Sequence, residues 1–304
     1  MSPSLLTRLW TYQRERFPLL AMLPMALAFS FSAVAYSRLA SGIPGFIPLP
    51  RFFMGAFTAL LSLFMLRVLD EHKDAEDDAR YRAELPVPRG LISLSELRWV
   101  AGLLSVLAVL LNAWLAPRLL GPLALVALYM ALMTKEFFVS AWLRARMLPY
   151  LLSHMIILPL IDFYTTGLDW LAEGRSPAPR LAGFLLVTYM NGVVVEIGRK
   201  LKAPESEREG VDSYTKAWGL KPATFAWLFC LGLTAVVAFW AGGATGLGIW
   251  RGGILLGFAC LALSLGGLFL VKPRPGAAKR VEAVSGLWTL LMYCWLGLAP
   301  FLAQ

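Results

Sequence analysis

Long apolar runs alternate with short charged stretches along the whole chain. A membrane-spanning helix needs about 20 mostly apolar residues. Nine runs meet that length, at roughly 17–39, 52–72, 97–116, 118–135, 138–161, 181–201, 220–241, 250–272 and 281–302. Stretches 17–37, 99–117, 252–271 and 283–304 contain no Asp, Glu, Lys or Arg. The pattern predicts an all-α integral membrane protein with nine transmembrane helices, arranged as one polytopic membrane domain over 1–304. Trp10 and Tyr12 beside Arg8, Arg14 and Arg16 predict an interfacial segment ahead of the first span. That segment lacks the layout of a cleavable signal peptide.

Composition supports the pattern. Apolar residues make up 58% of the 304 positions and charged ones 15%, against about 45–50% and about 25% in soluble domains. A disordered chain, a collagen, a coiled coil and an ordinary cytosolic enzyme are excluded. Cys230, Cys260 and Cys294 lie far apart inside apolar runs, with no Cys/His metal spacing, and read as packing residues.

Charge orients the chain. With the N-terminus inside, 22 of the 28 Lys and Arg fall on the inner side and 6 on the outer, a strong positive-inside bias. The net charge of +9 then follows from membrane orientation and an anionic substrate, and implies no nucleic acid. Acidic residues are uneven too. Of 19 Asp and Glu, 13 lie either between Asp70 and Glu96 or between Glu196 and Asp212. Both clusters follow apolar runs, the second and the sixth, and both fall on the cytoplasmic side.

The first cluster continues the second span. At 100° per residue, with Asp70 at 0°, Asp74 falls at about 40°, Asp78 at about 80°, Glu71 at about 100° and Asp77 at about −20°. Lys73 and Arg80 fall at about 300° and 280°, read as the other side of the helix. Like charges four residues apart repel by a few tenths of a kcal/mol per pair, and at a membrane surface such groups are usually functional. A stripe of carboxylates there needs a counter-cation. Mg²⁺ suits it, because this hard ion takes oxygen ligands and bridges carboxylates to phosphates.

The stretch DEHKDAEDD from Asp70 to Asp78 resembles the NDxxDxxxD motif of the UbiA-type intramembrane prenyltransferase superfamily. Asp70 stands where the family has Asn, Glu71 where it has the first Asp, and Asp74 and Asp78 match the next two. The segment from Leu85 through Gly90 to Ser93 looks like the family's RPLPxGxIS turn, with Leu85 in place of the Arg and Arg82 a candidate to supply its contact. The resemblance implies helices around a central cavity, with cytoplasmic loops after helices two and six capping the site, in a bacterial inner membrane. It also implies Mg²⁺, a prenyl diphosphate, a hydrophobic or aromatic acceptor and lipid contact. Beyond the sixth run the family expects DxxxD, then Gly, Thr or Ser, and Gly. Gly210, Ser213 and Gly219 match that tail, but Lys200 occupies the position of the second Asp after Glu196.

The implied roles follow residue by residue. Asp70, Glu71, Asp74, Asp78 and Glu196 hold metal, and these five with Lys200 are the expected catalytic set. Arg82, Lys135, Arg199 and Lys200 contact the diphosphate; with Glu196 at 0°, Arg199 lies at about −60° and Lys200 at about 40°. Glu205 or Glu207 is expected to fold back as the missing carboxylate. His154 is read as a mid-span residue that is either functional or packed, and His72 as pointing away from the stripe. A terpene cyclase of the same superfamily is the close alternative. A divalent cation transporter is the non-enzyme one, disfavoured because no acid but Glu196 approaches mid-span and transporter sites lie near the midplane. A CDP-alcohol phosphotransferase is rejected, since Asp78 stands where its DxxDGxxAR pattern has Gly.

Overall fold

The computed structural model of the chain describes residues 4–243 and 250–303, with the backbone alone at 250 and 251. The expected domain over 1–304 thus reaches beyond the described residues at 1–3, 244–249 and 304. The elements in chain order are α1 (Leu5–Arg16), α2 (Leu19–Ser41), α3 (Leu49–Lys73), α4 (Ala75–Tyr81), α5 (Leu94–Leu115), α6 (Leu120–Thr134), α7 (Ser140–Arg144) and α8 (Met147–Met155). They continue with α9 (Ile157–Gly167), α10 (Leu181–Arg199), α11 (Tyr214–Trp218), α12 (Leu220–Gly242), α13 (Trp250–Val271), α14 (Pro275–Tyr293) and α15 (Ala299–Leu302).

Among the described residues, nine stretches are long and apolar enough to cross a membrane. They are α2, α3, α5, α6 with the turn before it, α8 joined to α9, α10, α12, α13, and α14 joined to α15. The chain is an integral membrane protein. Helices suit that setting because each satisfies its own backbone polar groups away from water.

The fifth span departs most from expectation, running Met147–Gly167 instead of 138–161. Glu136, Phe137 and Phe138 adopt positive φ (47°, 53° and 61°) and break the chain after α6. No glycine marks that break, so the apolar pattern runs straight through it. The span is itself jointed. Pro159 has no N–H for the Met155 carbonyl, and α8 ends at Met155 before α9 resumes at Ile157.

The bundle is centred on α10. Of its apolar stretch 67% is buried, against 17% for α5 and for the α6 span, which lie at the periphery. Helix α10 packs on α12, α14, α9, α8 and α2. At the end away from the acidic loops, buried Asp169 accepts hydrogen bonds from Ser37 (2.8 Å), Arg38 (2.9 Å) and Arg175 (2.6 Å), tying α2 to the segment after α9.

Hydrophobic burial contributes little between helices already in lipid, so close packing and hydrogen bonds hold them together. Helix α2 packs closely against the π-helical turn Cys294–Leu298. Pro300 cannot donate to the Leu296 carbonyl, and the chain widens into a π turn just before it. There Gly297 lies so close to Ser32 that a Cβ would overlap the Ser32 carbonyl. Backbone cannot yield as a side chain can. Gly297→Ala should therefore lower stability in detergent by about 1–3 kcal/mol, the usual cost of overpacking. Gly267→Ala, with open space around its Cβ, should be neutral or stabilising by up to about 1 kcal/mol. Thermal melting of the two variants measures the difference.

Candidate active site

The first acidic arm is a helix with a slight joint. Helix α3 ends at Lys73, Asp74 leaves helical geometry (φ −96°, ψ 8°), and α4 follows. The i→i+4 ladder survives the joint. Asp74 N–H donates to the Asp70 carbonyl at 2.9 Å, Asp78 to Asp74 at 2.8 Å, and Arg82 to Asp78 at 2.9 Å. Asp70, Asp74 and Asp78 thus stand on successive turns of nearly one helix.

Their environments differ. Glu71 is buried and accepts from Arg16 of α1 at 2.7 Å, with Arg67 at 3.4 Å. Asp78 is buried beside Arg82, 2.7 Å away. Burial pushes the Asp78 carboxyl above its ordinary range; Arg82 opposes the shift, and Asp74 and Glu71 reinforce it. Asp77 is exposed. The side chains of Asp70 and Asp74 form no ion pair among the described residues, while their neighbours are taken up. The face of the helix that carries Asp70 and Asp74 is therefore the open one.

The second arm is the end of α10. Glu196 accepts from Arg199 at 2.5 Å and lies 3.0 Å from Lys200 Nζ. One carboxylate is shared by two cations, and the cluster keeps a net positive charge. Asp70 lies close enough to Arg199 for the two charges to interact across the gap. The loop after α10 then docks on the first arm. Gly210 (φ 70°) sets its Cα against the ring of Tyr81 where a Cβ would collide, and Arg208 reaches Glu84 at 3.1 Å. The two acidic segments, more than a hundred residues apart in sequence, meet at one end of the bundle.

Several expected residues take other positions. Glu207 folds back, but onto Ser213 (2.6 Å) and Thr215 (2.8 Å), where it secures the start of α11. Lys135 is exposed at the end of α6. Its neighbour Glu136 turns inward and is held by Lys73 (2.9 Å) and Arg144 (2.9 Å). Lys73 also donates to the Tyr150 hydroxyl at 2.5 Å. An angle of about 300° is about −60°, so Lys73 borders the Asp70 face and does not oppose it. It shares with Asp70, Thr134 and His154 a recess of about 20 Å³. His154 lies well inside the fifth span, at the end of α8, as expected. It stacks on Tyr150 with centroids 3.9 Å apart. His72 bonds the Val68 carbonyl at 2.8 Å.

Beside this charged end lies a cavity of about 310 Å³, walled by α2, α3, α8, α9, α10 and α14. Met155, Leu158 and Phe29 give it an apolar lining, and Glu196 reaches it from the charged end. Gly192 keeps the α10 wall thin; a Cβ there would meet Leu158. Asp162, Asn191 and Tyr293 also line it. The acid at 162 corrects the expectation that Glu196 alone approaches mid-span. The sequence reading ended the fifth span one residue short of it.

The donor set suits a hard cation. Among the described residues no group of three or more acidic, His or Cys side chains forms a ready-made metal cage. Mg²⁺ does not require one, since it commonly uses one or two carboxylates plus substrate phosphates and water. Asp70 and Asp74, open and one turn apart, fit that mode.

The Glu136 network yields a stability prediction. Burial pushes the Glu136 carboxyl up, but Arg144 and Lys73 outweigh burial and hold it below the ordinary carboxylate range. A depressed folded-state pKa gives stability that is full above the unfolded value and is lost as pH falls through the folded one. Glu136→Gln leaves Lys73 without its carboxylate and should cost about 3 kcal/mol near neutral pH, in the range for breaking a buried pair. The gap between wild type and variant should shrink below about pH 4.5, where the wild type loses the charge as well. Melting curves across pH test both the size and the sign.

No protein-family model matches the chain, and no curated protein matches it in sequence. Solved structures do match. A digeranylgeranylglyceryl phosphate synthase studied in membranes superposes with a TM-score of 0.62 at 17% identity, covering 94% of this chain and 97% of its own. A UbiA homolog from Archaeoglobus fulgidus, bound to GPP and Mg²⁺, superposes with a TM-score of 0.50 at 10% identity, covering 90% of this chain and 98% of its own. With nine spans, two acidic segments meeting at one end and an apolar cavity beside them, this chain has the UbiA-type fold.

Proposed function

We propose that the chain is a Mg²⁺-dependent intramembrane prenyltransferase that moves a prenyl group from an isoprenyl diphosphate to a hydrophobic or aromatic acceptor. The observation that carries the reading is one juxtaposition: Asp70, with open Asp74 one turn on, lies across from the Glu196–Arg199–Lys200 cluster next to an apolar cavity. An anionic headgroup and an apolar tail have complementary places there. The fold-sharing homolog bound to GPP and Mg²⁺ supports the same pairing.

Each side chain then has a task. Asp70 and Asp74 would hold Mg²⁺, which when bound offsets charge on the diphosphate leaving group. Asp78 extends the acidic stripe, and Arg82 holds Asp78. Arg199 suits bidentate phosphate contact and Lys200 a point-charge one. Both lie where negative charge grows as the allylic C–O bond breaks and its electron pair leaves with the diphosphate, which is where fixed cations help most. Glu196 keeps these cations at the cavity mouth. The apolar wall around Met155 and Leu158 excludes water, so the allylic carbon meets the acceptor and not solvent. The acceptor forms the new bond and loses a proton. Glu71, already held by Arg16, serves in this reading to fasten α1 to the site, and Lys135 plays no direct part. The positive-inside bias supports a site on the cytoplasmic side, and the resemblance implies a bacterial inner membrane.

Diphosphate release by the purified protein tests the reading. Geranyl, farnesyl and geranylgeranyl diphosphate are offered with and without Mg²⁺ and a mixture of aromatic and lipid acceptors. The expected result is Mg²⁺-dependent release from at least one donor, reduced about 100-fold or more in Asp74→Ala with the melting temperature kept. Release that ignores Mg²⁺ or survives intact in Asp74→Ala contradicts it. Cyclised hydrocarbon in place of a prenylated acceptor would assign the ionisation to a cyclase.

A further inference from the structure

The cavity has a polar patch inside its apolar chamber that a prenyl chain cannot use. Asn191 is 1% exposed and lines the cavity. Neither its amide nitrogen nor its amide oxygen has a hydrogen-bond partner. A buried amide left unpaired costs about 1–3 kcal/mol, and an apolar residue would fill the same place without that cost. Opposite it on α9, Asp162 lines the same cavity and accepts a hydrogen bond from the Tyr293 hydroxyl. Thr188, one turn before Asn191 on α10, completes the polar side. An acid and an unpaired amide within membrane spans are costly, and such groups in spans usually mark a binding site.

The chemistry of the patch selects its ligand. Asn191 offers both donors and an acceptor, and Asp162, which already accepts from Tyr293, keeps further acceptor capacity. A carboxylate ligand would face Asp162 unfavourably. A carbonyl could accept from Asn191 Nδ2 but could donate nothing to the unpaired Asn191 Oδ1. A hydroxyl does both. Position agrees with this. Asn191 is five residues before Glu196, about 7.5 Å along α10, so the hydroxyl would sit inside the chamber and not at the charged mouth. Prenyl tails carry no hydroxyl.

We propose that Asn191 and Asp162 form a recognition site for the hydroxyl of an otherwise apolar alcohol or phenol, which is the acceptor if the chain transfers prenyl groups. The name acceptor rests on the prenyl-transfer reading; the hydroxyl site does not. Asn191 is the specificity-determining residue, and Tyr293 positions Asp162.

The test therefore uses no Mg²⁺ and no prenyl diphosphate. Full-length protein in detergent is titrated with 1-naphthol and with naphthalene, followed by probe fluorescence and corrected for partition into empty micelles. The two probes differ only in the hydroxyl, and either is small enough for the cavity. The wild type is expected to bind 1-naphthol about 10-fold more tightly than naphthalene. Asn191→Leu should remove that preference while keeping or improving naphthalene binding, with a melting temperature that is unchanged or raised. Equal binding of the two probes by the wild type overturns the proposal and needs no variant to do so. A preference that persists in both Asn191→Leu and Asp162→Asn also overturns it. If the naphthol preference holds while no prenyl diphosphate is ever cleaved, the hydroxyl site stands and the prenyl-transfer reading falls.

Discussion

A carboxylate buried near the end of an apolar helix is costly unless a cation pairs with it. The functional end of this bundle is organised by that constraint. Glu196 is neutralised by Arg199 and Lys200 on its own helix. Glu71 is neutralised from α1 and Glu136 from α3 and α7. Asp70 and Asp74, by contrast, have no ion pair among the described residues and a like-charged neighbour one turn away. Asp70 interacts with Arg199 across the gap, and the Asp70–Asp74 pair is left open to a cation from outside.

Much of this arrangement is legible along the chain. Helices need only apolar length to be seen, and eight of the nine spans lie close to their expected positions because long uncharged runs have no other use. The acidic stripe is legible for a different reason. Repeated carboxylates at helical spacing repel one another, and a chain that keeps them has a use for them. The tail pattern also picks out Gly210, but only the fold shows that its positive φ lets Tyr81 sit where a side chain would be.

What escaped the sequence has physical causes. Three residues at positive φ, none of them Gly, break the chain at Glu136 through side-chain pairing, and no local propensity announces that. The displaced fifth span then hid Asp162 just beyond its expected end. Lys73, at about 300°, reads as lying on the other side of the helix, although that angle is about −60° and puts it beside Asp70. Asn191 is a single polar residue in an apolar helix, and only the absence of any partner in three dimensions distinguishes it from a packed one. Charge patterns are thus read well where several residues repeat and poorly where one residue acts alone.

The central claim is that the two arms hold a single metal–diphosphate unit between them. Calorimetric titration of Mg²⁺ and of a non-hydrolysable farnesyl thiolodiphosphate, each in the absence and presence of the other, tests this without relying on turnover. If the arms share one unit, each ligand must tighten the other by the same factor, since coupling is reciprocal. A mutual gain of about 10-fold or more, lost in Asp70→Asn, is the predicted result. Affinities that do not depend on the partner ligand would mean that the acidic stripe and the α10 cations serve separate purposes, and the account would be wrong.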